Sequence, residues 1–166
     1  IGLYAAKYLK ENYTFEPDIE FVDGGTLGFM LMPLLQEFDK VIIVNTASDD
    51  TKEVGDIFIK TTDEFLDGSL IKKTANEVEI AEMLQICSLS EQMADTIVIS
   101  IVTEDIIAVE VGLTPKIREV WPSYIENIIE NIELFGTKVS KKDTYISLEE
   151  VLNISANPSI EHFRGF

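Results

Sequence analysis

The sequence predicts an α/β domain, a three-layer sandwich in which a mostly parallel sheet lies between helices on both faces. Three observations predict it. Lys40–Thr46 and Thr96–Val102 are nearly continuous apolar, β-branched runs, the pattern of strands buried on both faces. Amphipathic helical segments alternate with these runs, as βα units require. Two of the strands, Asp18–Val22 and Lys40–Thr46, run into a polar residue where they should stop: Asp23 and Asn45. In an open α/β sheet, ligands gather in the crevice beyond the carboxyl ends of the strands, so both residues are candidates for a site.

Taken in order, Gly2–Asn12 reads as an amphipathic helix with Leu3, Ala6 and Leu9 on one face. It has no N-terminal cap, so a longer element, and the first strand of the sheet, is expected before Ile1. Asp18–Val22 is a strand. Thr26 caps a helix over Leu27–Phe38 whose apolar face includes Leu27, Met30, Leu31, Leu34 and Leu35. Pro33 should kink that helix or delay its start. Lys40–Thr46 is a strand, 47–52 a polar loop, and 55–61 a further strand. Residues 63–73 are mixed, loop or a helical turn. Thr74 or Asn76 caps a helix to about Ser88, with Glu77 and Glu79 in its first turn. A second apolar strand spans 95–103. Thr114 caps a long helix with Pro115 at its first position, Pro122 as a bend and Gly136 as its end. A small strand at 137–140 and a short helix at 147–153 complete the pattern. One domain is expected, with its core over about 1–140 and a C-terminal extension at 141–166.

Composition narrows the function classes. The 166 residues are 46% hydrophobic and 26% charged, which excludes a disordered chain. No apolar run approaches the roughly 18 residues of a spanning helix, so no membrane insertion is expected. The formal charge is −17, from 30 acids against 13 bases. That opposes capture of nucleic acid or anionic lipid, which needs Lys and Arg, and suits a basic partner or simple solubility. Cys87 is the one cysteine, so neither a disulfide framework nor a thiolate metal cluster exists, and a reducing cytoplasm is the default compartment. Within Met83-Leu84-Gln85-Ile86-Cys87 it reads as a small buried hydrophobe.

Familiar catalytic motifs are missing. There is no phosphate-binding glycine loop after a strand and no H-E-x-x-H. The single histidine, His162, lies in the last five residues and completes no Ser/His/Asp triad. Glu126, Glu130 and Glu133 read as a solvated helix face. Glu104 and Asp105 follow the second apolar strand, as an ordinary loop start or as further acids in the crevice. The turn Asp23-Gly24-Gly25-Thr26 has two readings: Gly-Gly lets a strand turn sharply into a helix, or bare backbone N–H groups and one carboxylate face a ligand or peptide.

Several motifs resemble those of the hydrogenase maturation endopeptidases. They are Val22-Asp23-Gly24-Gly25-Thr26-Leu27-Gly28, then Leu34 and Asp39-Lys40-Val41-Ile42-Ile43-Val44, then Val111-Gly112-Leu113-Thr114-Pro115. The start Ile1-Gly2-Leu3 is similar to the segment after that family's first acidic motif. The likeness covers roughly residues 1–135 and leaves the tail uncovered. It implies a single α/β domain that clips a C-terminal peptide from the large-subunit precursor of a [NiFe] hydrogenase once nickel is installed. It also implies recognition of that nickel by a Glu, an Asp and a His, donors that suit the ion. The Glu falls before Ile1. Asn45 stands at the Asp position and Asn76 at the His position, so two neutral amides replace a charge and an imidazole. Asp23, with Gly24, Gly25 and Thr26, keeps the position associated with substrate recognition. Glu77 and Glu79 are conceivable shifted ligands, although Glu77 projects about 100° around the helix from Asn76. Two functions follow: the family's endopeptidase, or a non-catalytic member that binds a hydrogenase subunit or maturation partner without cleaving it. An unrelated nucleotide- or sugar-binding α/β domain is the third reading, weakened by the missing phosphate loop.

Overall fold

The computed structural model describes residues 1–25, 28–49, 51–68, 74–90, 93–104 and 112–156. Its helices are α1 (Gly2–Asn12), α2 (Met32–Glu37), α3 (Thr62–Asp67), α4 (Ala75–Cys87), α5 (Pro115–Leu134) and α6 (Leu148–Ala156). Its strands are β1 (Tyr13–Glu16), β2 (Lys40–Ala47), β3 (Ile57–Thr61), β4 (Asp95–Val102) and β5 (Lys138–Lys141). A 3-10 turn over Gly28–Leu31 leads into α2. Pro33 sits in the first positions of α2, so it delays the helix, as its fixed φ and missing N–H favour.

Strand β4 is the centre of the sheet, in the order β2-β4-β3. β2 runs parallel to it with Asn45 opposite Ser100, and β3 runs antiparallel with Phe58 opposite Ser100. The sheet is therefore mixed, and the α/β layering holds with one strand reversed. Burial on both faces belongs to β4. β2 is only half-buried over Val41–Val44, because it pairs on one side among the described residues.

Alternating side chains of β4 enter two cores. Ile99 and Ile101 face a cluster built by α1, α5 and α6, with Leu9, Ile117, Tyr124 and Leu152. Val98 faces a second cluster of Leu35, Phe65, Met83 and Leu84 from α2, α3 and α4. Two cores on opposite faces of one strand are the physical content of three layers. The buried stripe of α1 is Ala5, Leu9 and Asn12, whereas Leu3 is largely exposed. The face predicted for α1 is thus rotated, sharing Leu9 alone. Met30 is likewise exposed and Leu35 buried in place of a continuous apolar face over 27–38.

The segment 18–22 forms no strand. The extended residues are instead Tyr13–Glu16, which pair antiparallel with β5 in a separate two-stranded sheet. Alternation at 18–22 sets up a strand face, but ladder hydrogen bonds need a neighbour, and none is present among the described residues. Ile19 and Phe21 pack on the α1/α5 core, Phe21 against Phe15 at 5.5 Å between ring centroids. The chain after β5 is tied down by Asn12, whose Nδ2 donates to the Tyr8 and Ile146 carbonyls at 3.0 Å each. Its Oδ1 accepts from the Ile146 N–H at 2.7 Å. Of the two readings of 63–73, the helical one holds over Thr62–Asp67, and residues 69–73 lie outside the described residues. Thr61 and Glu64 close a capping box at the start of α3. α5 continues through Pro122, which lies on its exposed side, and Glu126, Glu130 and Glu133 are exposed as expected. Among the described residues, no helix is long and apolar enough to cross a membrane.

Cys87 is 1% exposed in the second core, and burial pushes its thiol pKa up. A thiol that is both shielded and neutral is a poor nucleophile. Ellman's reagent should therefore leave it unmodified in the native protein and titrate one thiol in urea. Fast labelling of the folded chain would contradict this burial.

Candidate functional site

The two parallel strands β2 and β4 end together, and β3 starts at the same end, so a crevice opens there. Asn45, Ser100 and Phe58 form one rank across the three strands, facing α3 and α4. Beside them lie Ala47 and Ser48 at the end of β2, Lys60 of β3, and Glu77 of α4, around a crevice of about 90 Å³. The position at the carboxyl ends of the parallel pair is where an α/β sheet places its chemistry.

Asn45 is 7% exposed. Its Oδ1 accepts from the Ser100 hydroxyl at 2.5 Å, and its Nδ2 is buried with no hydrogen-bond partner. An orphaned buried donor costs about 1–3 kcal/mol, so this buried polar pair is not optimised for stability. Glu77 is buried at 6% exposure. One carboxylate oxygen, Oε2, accepts from the Thr74 hydroxyl at 2.8 Å, the Thr74 N–H at 3.2 Å and the Ser48 N–H at 3.3 Å. The first two contacts belong to a capping box, completed by the Glu77 N–H to Thr74 Oγ1 at 3.0 Å. The third ties the N-terminus of α4 to the chain leaving β2. Thr74, not Asn76, is the cap of this helix.

The sequence-predicted residues are therefore divided. Asn45 is buried opposite the crevice-lining Ser100 and bonded to it, without lining the crevice itself. Asn76 occupies the second position of α4, is exposed, and does not line the crevice. Its neighbour Glu77 turns inward instead. Asp23 is exposed and accepts at Oδ1 from the Gly25 N–H at 3.0 Å, with Gly25 at φ +48°. That is an Asx turn, and Asp23, Gly24 and Gly25 do not line the crevice. Thr26, Asp105 and His162 lie outside the described residues; Glu104 is exposed. Ser48, Lys60 and Ser100 were not anticipated. Ser100 had a signal, as the lone hydroxyl inside Ile97–Val102. Lys60 had none, since a reversed β3 and its register bring it there.

The donor set does not fit a nickel ion. The Asn45 oxygen is committed to Ser100, and an amide nitrogen carrying its hydrogens is no ligand. Glu77 Oε2 already accepts three hydrogen bonds. Among the described residues, no three His, Cys, Asp or Glu side chains come together as a metal site.

With this geometry in hand, known proteins give the affiliation. The sequence profile of the hydrogenase maturation protease family (HycI) matches residues 3–131. The chain belongs to the hydrogenase maturation protease family. It is 21% identical to Protein HydD of Wolinella succinogenes over 157 residues, covering 92% of this chain and 98% of that one. Its fold is similar to the hydrogenase maturating endopeptidase HybD from E. coli, with a TM-score of 0.76 and 18% identity over 84% of this chain and 86% of that one. An endopeptidase from Escherichia coli solved in solution gives a TM-score of 0.75 and 18% identity, over 86% and 88%. The resemblance read from the Asp23 and Val44 motifs is thereby borne out for family and fold.

Proposed function

We propose that the chain acts on the large-subunit precursor of a [NiFe] hydrogenase in the cytoplasm, as an endopeptidase that removes its C-terminal peptide. The observation that carries this reading is the family match over residues 3–131. The crevice at the ends of β2 and β4 supports it as the place where the precursor's tail is received. Nickel enters here as part of the substrate, held by the precursor. The chain's own contribution is binding and orientation: Glu77 fixes the chain leaving β2, and Asp23 on its Asx turn is the proposed recognition acid. To test it, nickel-loaded precursor is incubated with the purified protein and its mass followed. Loss of a C-terminal peptide is the expected result, and an intact precursor that a related endopeptidase does cut would refute cleavage.

One observation favours a second reading, a family member that binds the precursor without cutting it. Asn45 offers neither a charge nor a free oxygen, and Asn76 does not reach the crevice. In the same experiment, a stable complex with an uncut precursor on size exclusion would identify this outcome.

A further inference from the structure

Away from the crevice, three aromatic rings lead from the first core to the surface. Trp121 of α5 is the chain's single tryptophan and is 4% exposed. The Tyr8 ring of α1 meets it edge to face, with centroids 5.8 Å apart. The Tyr145 ring meets Tyr8 in the same way at 6.4 Å, a geometry that aromatic pairs prefer. The Tyr8 hydroxyl donates to the Tyr145 oxygen at 3.3 Å, and Tyr145 is 71% exposed. Asn12 holds the outer end in place, since its side chain bonds both the N–H and the carbonyl of Ile146, the residue after Tyr145. Another phenol, Tyr124, also adjoins Trp121, at 6.0 Å between centroids, and is fully buried.

The polar atoms on these rings differ in one respect. Trp121 Nε1 and Tyr124 Oη are buried with no hydrogen-bond partner among the described residues. The Tyr8 hydroxyl has an acceptor in Tyr145, and Tyr145 is open to solvent. This difference decides where an oxidising equivalent can go. An indole that loses one electron becomes a radical cation, which ordinarily relaxes by shedding its N–H proton. Trp121 has no acceptor for that proton, so its ring stays charged and strongly oxidising. A phenol gives up an electron readily only if its proton leaves with it, because an unpaired charge in a buried place is heavily penalised. Tyr124 has nowhere to send a proton. Tyr8 does, because a phenol oxygen both donates and accepts.

We propose that Trp121, Tyr8 and Tyr145 form a hole-transfer chain, which carries a one-electron oxidation from the core to the surface and ends on Tyr145. A one-electron oxidant takes an electron from Trp121 and is itself reduced. Tyr8 returns an electron to Trp121. The Tyr8 proton passes to the Tyr145 oxygen as Tyr145 releases its own proton to water. A hydrogen atom then moves from Tyr145 to Tyr8. Trp121 and Tyr8 are thereby restored, and Tyr145 is left as a neutral phenoxyl radical, short of one electron and one proton. At the surface a soluble thiol can return the hydrogen atom and become a thiyl radical. The chain of rings protects the core in which Trp121 and Tyr124 sit, and it holds whether or not the protein cleaves a precursor.

The test is flash photolysis of the whole chain. Light at the red edge of indole absorption ejects an electron from Trp121 and leaves tyrosine unexcited, and a soluble cobalt(III) ammine takes up the electron. Because Trp121 is the single tryptophan, the indole radical band reports on it alone. That band is expected to decay as the tyrosyl band grows, at one rate that does not depend on protein concentration. Tyr8→Phe and Tyr145→Phe should each slow the decay by at least about tenfold, while Tyr124→Phe should leave it unchanged, each variant being checked for native circular dichroism. Heavy water should slow the wild-type decay, because a proton moves with the electron; this measurement needs no variant. A decay unaffected by Tyr8→Phe or by heavy water overturns the proposal. So does a rate that rises with protein concentration, or one that Tyr124→Phe slows. A decay unaffected by Tyr145→Phe removes Tyr145 as the terminus and overturns it equally.

Discussion

Gly55→Ala should lower the unfolding free energy by about 2–4 kcal/mol, with no change in the denaturant slope. Two separate costs combine. Gly55 has φ +93°, where a side chain costs about 1–2 kcal/mol. An added Cβ would also lie 3.1 and 3.3 Å from the two methyl carbons of Val120 on α5, and overpacking in a tight contact costs about 1–3 kcal/mol. The site cannot easily yield, because the Gly55 N–H donates to the Val102 carbonyl at 2.9 Å and the residue is buried. Adding Val120→Ala should recover the clash and leave the backbone cost, so that the two changes are not additive. A urea midpoint for Gly55→Ala equal to wild type would defeat this account. The position matters to the crevice because this turn aims β3, and with it Phe58 and Lys60, at the end of the parallel pair.

The same turn marks the limit of what the sequence discloses. α1, β2, β4 and α5 were legible because each is long enough to show its period, and Thr114-Pro115 and Gly136 punctuate α5 at both ends. α3 was hidden only by neglect of a local signal, the Thr61-x-x-Glu64 box. Strand β1 and the failed strand at 18–22 are a different matter. Both segments alternate, and which of them pairs depends on β5, more than a hundred residues downstream. The crevice divides in the same way. Asn45 stood out because a polar residue near the end of an apolar strand is visible in one dimension, and the structure pairs it with Ser100. The inward turn of Glu77 followed from the box Thr74-x-x-Glu77, which fixes Thr74 as the cap and so sets the phase of α4. Lys60 and Phe58 reach the site only through an antiparallel register that no nearby residue encodes. Asp23 was read as a partner of Asn45 because both were expected to end parallel strands; residues 18–22 form no strand, and Asp23 does not line the crevice.

Asn45→Asp should destabilise the fold in a pH-dependent way. The new carboxylate would sit 7% exposed with one donor, the Ser100 hydroxyl. A buried charge so poorly matched costs about 2–4 kcal/mol near neutral pH. Desolvation raises the pKa of the folded state above that of the unfolded chain. The folded variant then binds more protons than the unfolded one across that interval, so its stability rises as pH falls. The deficit relative to wild type is full above the folded pKa and shrinks as pH drops toward the ordinary carboxylate range. Thermal melts of both proteins at pH 5 and pH 8 read this directly. The deficit of the variant relative to wild type should be smaller at pH 5 than at pH 8. A deficit that is equal at the two pH values would mean that the new carboxyl is not held in a poorly matched, buried place, and that the Ser100 hydroxyl and its surroundings accommodate the charge.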